Sequence, residues 1–319
     1  MVGRWMFLLN RIVGQRNIWK GNIMRNIAPG LCLALILLFG LPLFDCPARQ
    51  FDAGVVPKGS LYFKVHSIVF VTSARFDNSG KAINLPDLSQ LSYVDNQFEL
   101  YYGATSSLMT GILVPVAYTR TSYASGENSS ITKAGNPWIV VKYQFWPEVV
   151  CAASSLRVKL PITDIEPLME SSDVEDKEGD IYIFDVEDKQ GDIYLASYID
   201  WLMDWGGYIN SEIGYRYRME NENHKPCDEL KLVVETGLAV VPGLIRIFTY
   251  SDYARFFRCK TDGERDEHCE GYLYTIAAGV RFYMKRNLRV EVLTNATPYG
   301  RNRFRGIGGH VGVGYVFGM

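Results

Sequence analysis

Charge, helical periodicity and clustered metal ligands are all scarce in this chain. Asp, Glu, Lys and Arg make up 21% of its 319 residues and nearly cancel, for a net charge of -2. A chain so balanced sets up no field for a polyanion, and nucleic acid is not expected as a partner. After Arg49 no segment of any length repeats its apolar residues at helical spacing, which leaves out a helical core. The four histidines, His66, His224, His268 and His310, are scattered. None of the six cysteines stands in CxxC or CxxH spacing, so no metal site is expected. There is no GxSxG elbow, no segment pairing Ser with a nearby His, and no acidic pair with special support as glycosidase carboxylates. The chain does not read as an enzyme, and nothing in it asks for a cofactor.

Long apolar runs are nearly absent too. The one block, "LCLALILLFGLPLF" (Leu31 to Phe44), follows the basic stretch "MRN" (Met24 to Asn26) and precedes "CPA" (Cys46 to Ala48). That is the layout of a secretory signal. A spanning helix takes about 20 apolar residues, and this run is shorter and broken by Pro42, which favours a cleaved signal over a retained anchor. Phe44 and Asp45 before Cys46 speak against a lipoprotein. The expected organisation is a signal peptide over residues 1–48, with 1–23 as a prefix ahead of the plausible start Met24, and one domain over 49–319. Loss of the signal leaves Cys151, Cys227, Cys259 and Cys269. Export permits disulfides. Cys259 and Cys269 bracket the polar loop "CKTDGERDEHC" and are the expected pair, with two thiols as the alternative.

What the chain has in quantity is glycine (29), tyrosine (20) and period-two alternation. In "YINSEIGYRYRM", Ile209, Ile213, Tyr215, Tyr217 and Met219 oppose Asn210, Glu212, Gly214, Arg216 and Arg218. In "HVGVGYVF", Val311, Val313, Tyr315 and Phe317 oppose His310, Gly312, Gly314 and Val316. About twelve such runs are centred near residues 66, 99, 113, 141, 155, 197, 213, 235, 248, 277, 291 and 313. Tight connections alternate with long polar ones, the latter near residues 77–93, 121–136, 162–190, 220–228, 255–270 and 298–307. In every strand the charged residues fit on one face, leaving the other apolar or small. A Lys or Arg facing mid-bilayer lipid costs about 2–4 kcal/mol, so this segregation suits a membrane barrel. Only a closed barrel satisfies a β backbone in lipid. The expected fold is all-β: a transmembrane antiparallel barrel of about twelve strands in a bacterial outer membrane, with short periplasmic turns and long extracellular loops. Trp138, Trp146, Trp201 and Trp205 near strand ends are the expected interface aromatics.

The wording of the strands also resembles a known family. "YYGATSSLMTGILVPVAYTR" (Tyr101 to Arg120), "SLRVKLPITD" (Ser155 to Asp164), "GDIYLASYIDW" (Gly191 to Trp201), "GYINSEIGYRYR" (Gly207 to Arg218) and "GRN…GVGYVF" (Gly300 to Phe317) are similar, in order, to segments of an outer-membrane family named for the meta-pathway of phenol degradation. Ile162-Thr163-Asp164 lacks the glycine that usually follows the family's "KLPT" segment. The resemblance implies a transporter of small solutes, aromatic or other hydrophobic compounds among them. Its partners would be outer-membrane lipid, the barrel-assembly machinery reading the C-terminal strand, and the solute.

Two features remain. The run Asp173 to Tyr182 recurs, one residue changed, from Asp185 to Tyr194, within the long loop 162–190 and its exit. As a calcium loop it fails at its first position, Val174, and two copies are too few for a solenoid, so it reads as local duplication in a tolerant loop. On the inner face, Arg157, Lys159, Arg216, Arg218 and Arg281 form a basic stripe, with Glu99 and Glu212 among the acidic residues opposite. They would line a channel that attracts solutes. The alternative is an interior network, completed by Glu235 and Glu291, that fills the barrel and leaves a structural or surface-interaction protein.

Overall fold

The computed structural model describes residues 53–85, 88–147, 149–162, 190–220, 225–261, 263–266, 269–284 and 287–318. The signal segment and nearly all of the tandem duplication lie outside them. Among the described residues there are sixteen strands. They are β1 (Leu61–Phe76), β2 (Ala82–Asn84), β3 (Leu88–Gly103), β4 (Leu108–Tyr123), β5 (Asn128–Ala134), β6 (Trp138–Pro147), β7 (Val150–Lys159) and β8 (Asp192–Leu202). Then come β9 (Gly207–Arg218), β10 (Asp228–Val241), β11 (Ile245–Phe257), β12 (Lys260–Thr261), β13 (Glu264–Arg265), β14 (Gly271–Met284), β15 (Leu288–Arg301) and β16 (Arg303–Phe317).

Twelve of these form a barrel in which each strand pairs antiparallel with its neighbours, and β16 returns to β1 from Leu61↔Phe317 to Phe76↔Arg303. All twelve runs anticipated from alternation are barrel strands. The small strands decorate one end: β2 on β1, β5 on the upper half of β4, and the ribbon β12–β13.

Alternation sets which face goes where. Along β8, Asp192, Tyr194, Ala196, Tyr198 and Asp200 are buried while Leu195, Ile199 and Trp201 are exposed. Along β10, Leu230, Leu232, Val234 and Leu238 are exposed and Glu235 is buried. An exterior of bare Leu, Ile and Val around an interior of charge inverts a soluble protein, and it suits lipid outside and a polar lumen inside. Trp146, Trp201 and Trp205 stand exposed at the short-turn end, Trp205 at 70%, as an interface girdle. Trp138 corrects the expectation: it shares the inward parity of Val140 and Lys142, and Arg216 lies 4.9 Å over its ring inside the barrel.

The tight turns all fall at one end. Gly206 (φ 89°) and Gly243 (φ 72°) supply left-handed corners, closed by Gly206 N–H to the Met203 carbonyl at 2.9 Å and Leu244 N–H to the Val241 carbonyl at 3.0 Å. The long connections share the other end, with one correction. Residues 298–307 are not a loop. β15 and β16 run on through Arg301 and Arg303, and the chain reverses at Asn302 (φ 51°), a residue type that tolerates the left-handed region.

The disulfide expectation is also corrected. The structure joins Cys227 to Cys259, not Cys259 to Cys269. An isolated antiparallel bridge, Lys225↔Lys260, carries the end of the β9–β10 connection alongside the start of the β11–β14 connection. That sets the Cys227 and Cys259 Cα atoms 4.2 Å apart. Cys269 stays a thiol and donates to Asp266 Oδ2 at 3.0 Å.

Candidate functional site

The lumen is built by the inward residues of all twelve barrel strands, and cross-strand register decides which charges meet. Lys159 stands opposite Asp192, and Arg281 opposite Glu291. Four groupings result.

In the first, Arg281, 3% exposed, forks onto Glu235 with Nη1 at 2.9 Å from Oε1 and Nη2 at 3.1 Å from Oε2. Its Nε donates to Glu291, which also receives Arg289 at 2.6 Å. Tyr208 donates to Glu235 at 2.8 Å, and the Arg281 guanidinium lies 4.4 Å from the Phe248 ring centroid. In the second, fully buried Asp192 accepts from Arg216 and lies 3.0 Å from Lys159 Nζ. In the third, Lys64 reaches Glu99 at 3.2 Å, Tyr101 donates to Glu99 at 2.5 Å, and His66 lies 2.6 Å from Gln97 Oε1. In the fourth, Arg157 donates to the Tyr198 hydroxyl at 2.8 Å and lies 5.3 Å from the Tyr194 ring centroid, while Tyr194 donates to Glu212. Arg218 sits toward the long-loop end, where its backbone N–H donates to Asp228 Oδ1 at 3.1 Å.

The structure thus places Glu99, Arg157, Lys159, Glu212, Arg216, Arg218 and Arg281 on the inner wall, but not as one basic stripe. Arg216 and Lys159 share a carboxylate, and Arg281 bridges two. Charges this buried are held by being paired, and the register supplies the pairs, although Asp192 Oδ1 takes no hydrogen bond. Arg157 differs. Among the described residues no carboxylate lies within ion-pair distance of it, and its buried Nε carries no hydrogen bond.

Sequence reasoning passed over Asp192, Tyr194, Tyr198 and Asp200, although "GDIYLASYIDW" sets all four on one face. It also gave no role to the residues just before β1. Ala53, fully buried, donates its N–H to Asp200 Oδ2 at 2.7 Å. Val55 and Val56 pack on Tyr101, Met109 and Val140. Gly59 N–H and the Gly103 carbonyl then meet at 2.7 Å, where a Cβ on Gly103 would lie 2.1 Å from the Pro57 carbonyl oxygen. Residues 53–57 therefore run inside the short-turn end of the lumen, against a wall that admits them only because position 103 has no side chain. Between this segment and the far wall lies a cavity of about 310 Å³. Among the described residues, no cluster of three His, Cys, Asp or Glu is placed to hold a metal ion.

No family model matches the chain, and no curated protein matches it either. Solved structures do. An outer membrane channel from Pseudomonas putida F1 is similar with a TM-score of 0.68 at 10% identity, over 85% of this chain and 100% of that one. The beta domain of the Bordetella autotransporter BrkA (TM-score 0.47, 10% identity, 82% of this chain and 100% of that one) and a TodX monoaromatic hydrocarbon channel mutant (0.43, 8%, 82% and 91%) are also similar. At such identities the likeness shows the fold. The chain is a closed antiparallel barrel of twelve strands, of the outer-membrane architecture.

Proposed function

We propose that this protein is an outer-membrane channel for small solutes, aromatic or other hydrophobic compounds included. The observation that carries the reading is the cavity of about 310 Å³ inside a barrel whose exterior is fit for lipid. A barrel of this size filled only for rigidity would be packed through. The likeness to the Pseudomonas putida F1 outer membrane channel supports it, and the resemblance to the family named for phenol degradation supports the solute class.

A second reading has its own observation: the segment 53–57 narrows the short-turn end, as it would in a plugged structural barrel. Purified protein in planar bilayers separates the two. The channel reading expects small conductance that rises when residues 53–57 are deleted, together with faster uptake of a labelled aromatic compound by cells that carry the gene. Zero conductance in both forms and equal uptake across a panel of aromatic compounds would leave the structural reading standing.

A further inference from the structure

The outward faces of β11, β14, β15 and β16 change character toward the long-loop end. Low on this wall stand exposed aliphatics, Ile247, Ile276, Val292 and Ile307. Above them register sets Tyr253 beside Tyr274 and Tyr274 beside Tyr299, the last two with ring centroids 6.4 Å apart. One step higher, Arg255 pairs with Tyr272, and Tyr272 with Arg301. Alternation keeps both arginines on the exposed parity, Arg255 with Ile247 and Tyr253, Arg301 with Tyr299. Arg305, itself exposed, follows on the next strand, two residues above Ile307. Among the described residues no carboxylate lies within ion-pair distance of these three arginines. Three acids at this end of the wall have other partners. Glu270, which also feels Arg255, is taken by two nitrogens of Arg265. Asp228 lies 3.0 Å from Lys225 Nζ, and Asp77 accepts the Ser79 and Lys81 N–H groups.

Aliphatic, then tyrosine, then arginine is the order in which a leaflet presents acyl chains, interface and headgroup phosphates. An arginine stem runs along apolar surface while its guanidinium fork reaches polar depth and matches phosphate oxygens. Strands about 4.8 Å apart put the Arg255 and Arg301 backbones about 10 Å apart, a gap that two such side chains can close on one phosphate. We propose that Arg255, Arg301 and Arg305 seat the headgroup of a lipid bearing phosphomonoesters, in the leaflet at the long-loop end. Its acyl chains lie against the tyrosines and aliphatics below. A phosphomonoester carries about -1.5 to -2 charge at neutral pH, enough to answer two guanidinium groups at once. Arg120 is the contrast: it shares the outward parity of Thr110 and Ile112 on β4, but its neighbours in register are Ser92 and Ser130. The seat lies outside the barrel and is independent of whether the lumen conducts.

The test is native mass spectrometry of the full chain released from detergent micelles. It is titrated with lipid A carrying both phosphates and with the same lipid after phosphatase treatment. The expected result is one saturable lipid adduct, weaker by about tenfold or more once the phosphates are gone. Arg255→Gln and Arg301→Gln should each weaken it about fivefold, the usual effect of one cation at an anionic lipid surface. Arg120→Gln should leave it unchanged, and inorganic phosphate in large excess should not displace the lipid. Heat-modifiable gel mobility confirms that each variant is folded, and the two lipids compared on the unaltered protein decide the matter even if none folds. Equal binding of both lipids overturns the proposal, as does displacement by inorganic phosphate, which would mean a site for free anions. So does an Arg301→Gln adduct as tight as that of the unaltered protein, or an Arg120→Gln loss as large as that of Arg301→Gln.

Discussion

Arg281 shows how much one side chain holds in this lumen. It satisfies Glu235 with two hydrogen bonds and Glu291 with a third, on three different strands, β10, β14 and β15. Replacement by Gln leaves buried Glu235 without its cation while Glu291 keeps Arg289, and breaking a buried pair from one side costs about 3–5 kcal/mol. The expected outcome of Arg281→Gln is a large drop in the urea midpoint of the refolded protein, with most of it regained when Glu235 also becomes Gln. Among the loop residues, Glu270 accepts Arg265 Nε and Nη2 at 3.0 and 2.9 Å and the Arg258 N–H at 3.0 Å. The hydrogen bonds from Arg265 hold its carboxyl below the ordinary glutamate range. Since the folded value is the lower one, this contribution is fully present above the unfolded value of about 4.3 and is lost as pH falls through the folded value. A carboxyl carbon NMR titration of Glu270 should give a midpoint below that of an exposed glutamate. Arg265→Gln should move it upward; an unchanged midpoint would refute the assignment.

At the scale of elements, pattern was legible and partnership was not. Period two alone located every barrel strand, because alternation is imposed by the two solvents the sheet faces. It placed the seven candidate lumen residues on the inner wall for the same reason. It could not say that Lys159 and Arg216 meet on Asp192, since that depends on register between strands separated by a long connection. The disulfide went wrong in the same way. Cys259 and Cys269 are close in sequence, but the bridge Lys225↔Lys260 brings a residue from another connection into reach. Non-reducing digestion and mass spectrometry should find Cys227 linked to Cys259, with Cys269 alkylated before reduction. A Cys259–Cys269 peptide would restore the local pairing. The hairpin at Asn302 was misread because Gly300, Asn302 and the arginines around it look like loop, while their backbones continue the ladder of β1 and β14.

For the molecule as a whole, the two ends of the barrel make different predictions about access. If the long connections face outward, cysteines placed at Ser79 and Glu127 in a Cys269→Ser background should react with an impermeant maleimide on intact cells. Cysteines at Ser106 and Asp204, in the short turns, should react only after lysis; one surface-labelled short turn would reverse the orientation. The seam between β1 and β16 has a further implication, for timing. The ring joins strands from opposite ends of the sequence, and bringing such distant segments together is the slow, entropically costly part of forming any β architecture. Residues 53–57 lie within that ring, directly ahead of the strand that forms half of the seam. They must be indoors before the door shuts, or else enter afterwards through an end that their own bulk narrows. The simpler history has the leading segment laid on β3, β4 and β6 while the wall is still an open sheet. The last strand would then zip past it, so that the protein comes into being already holding its own occupant.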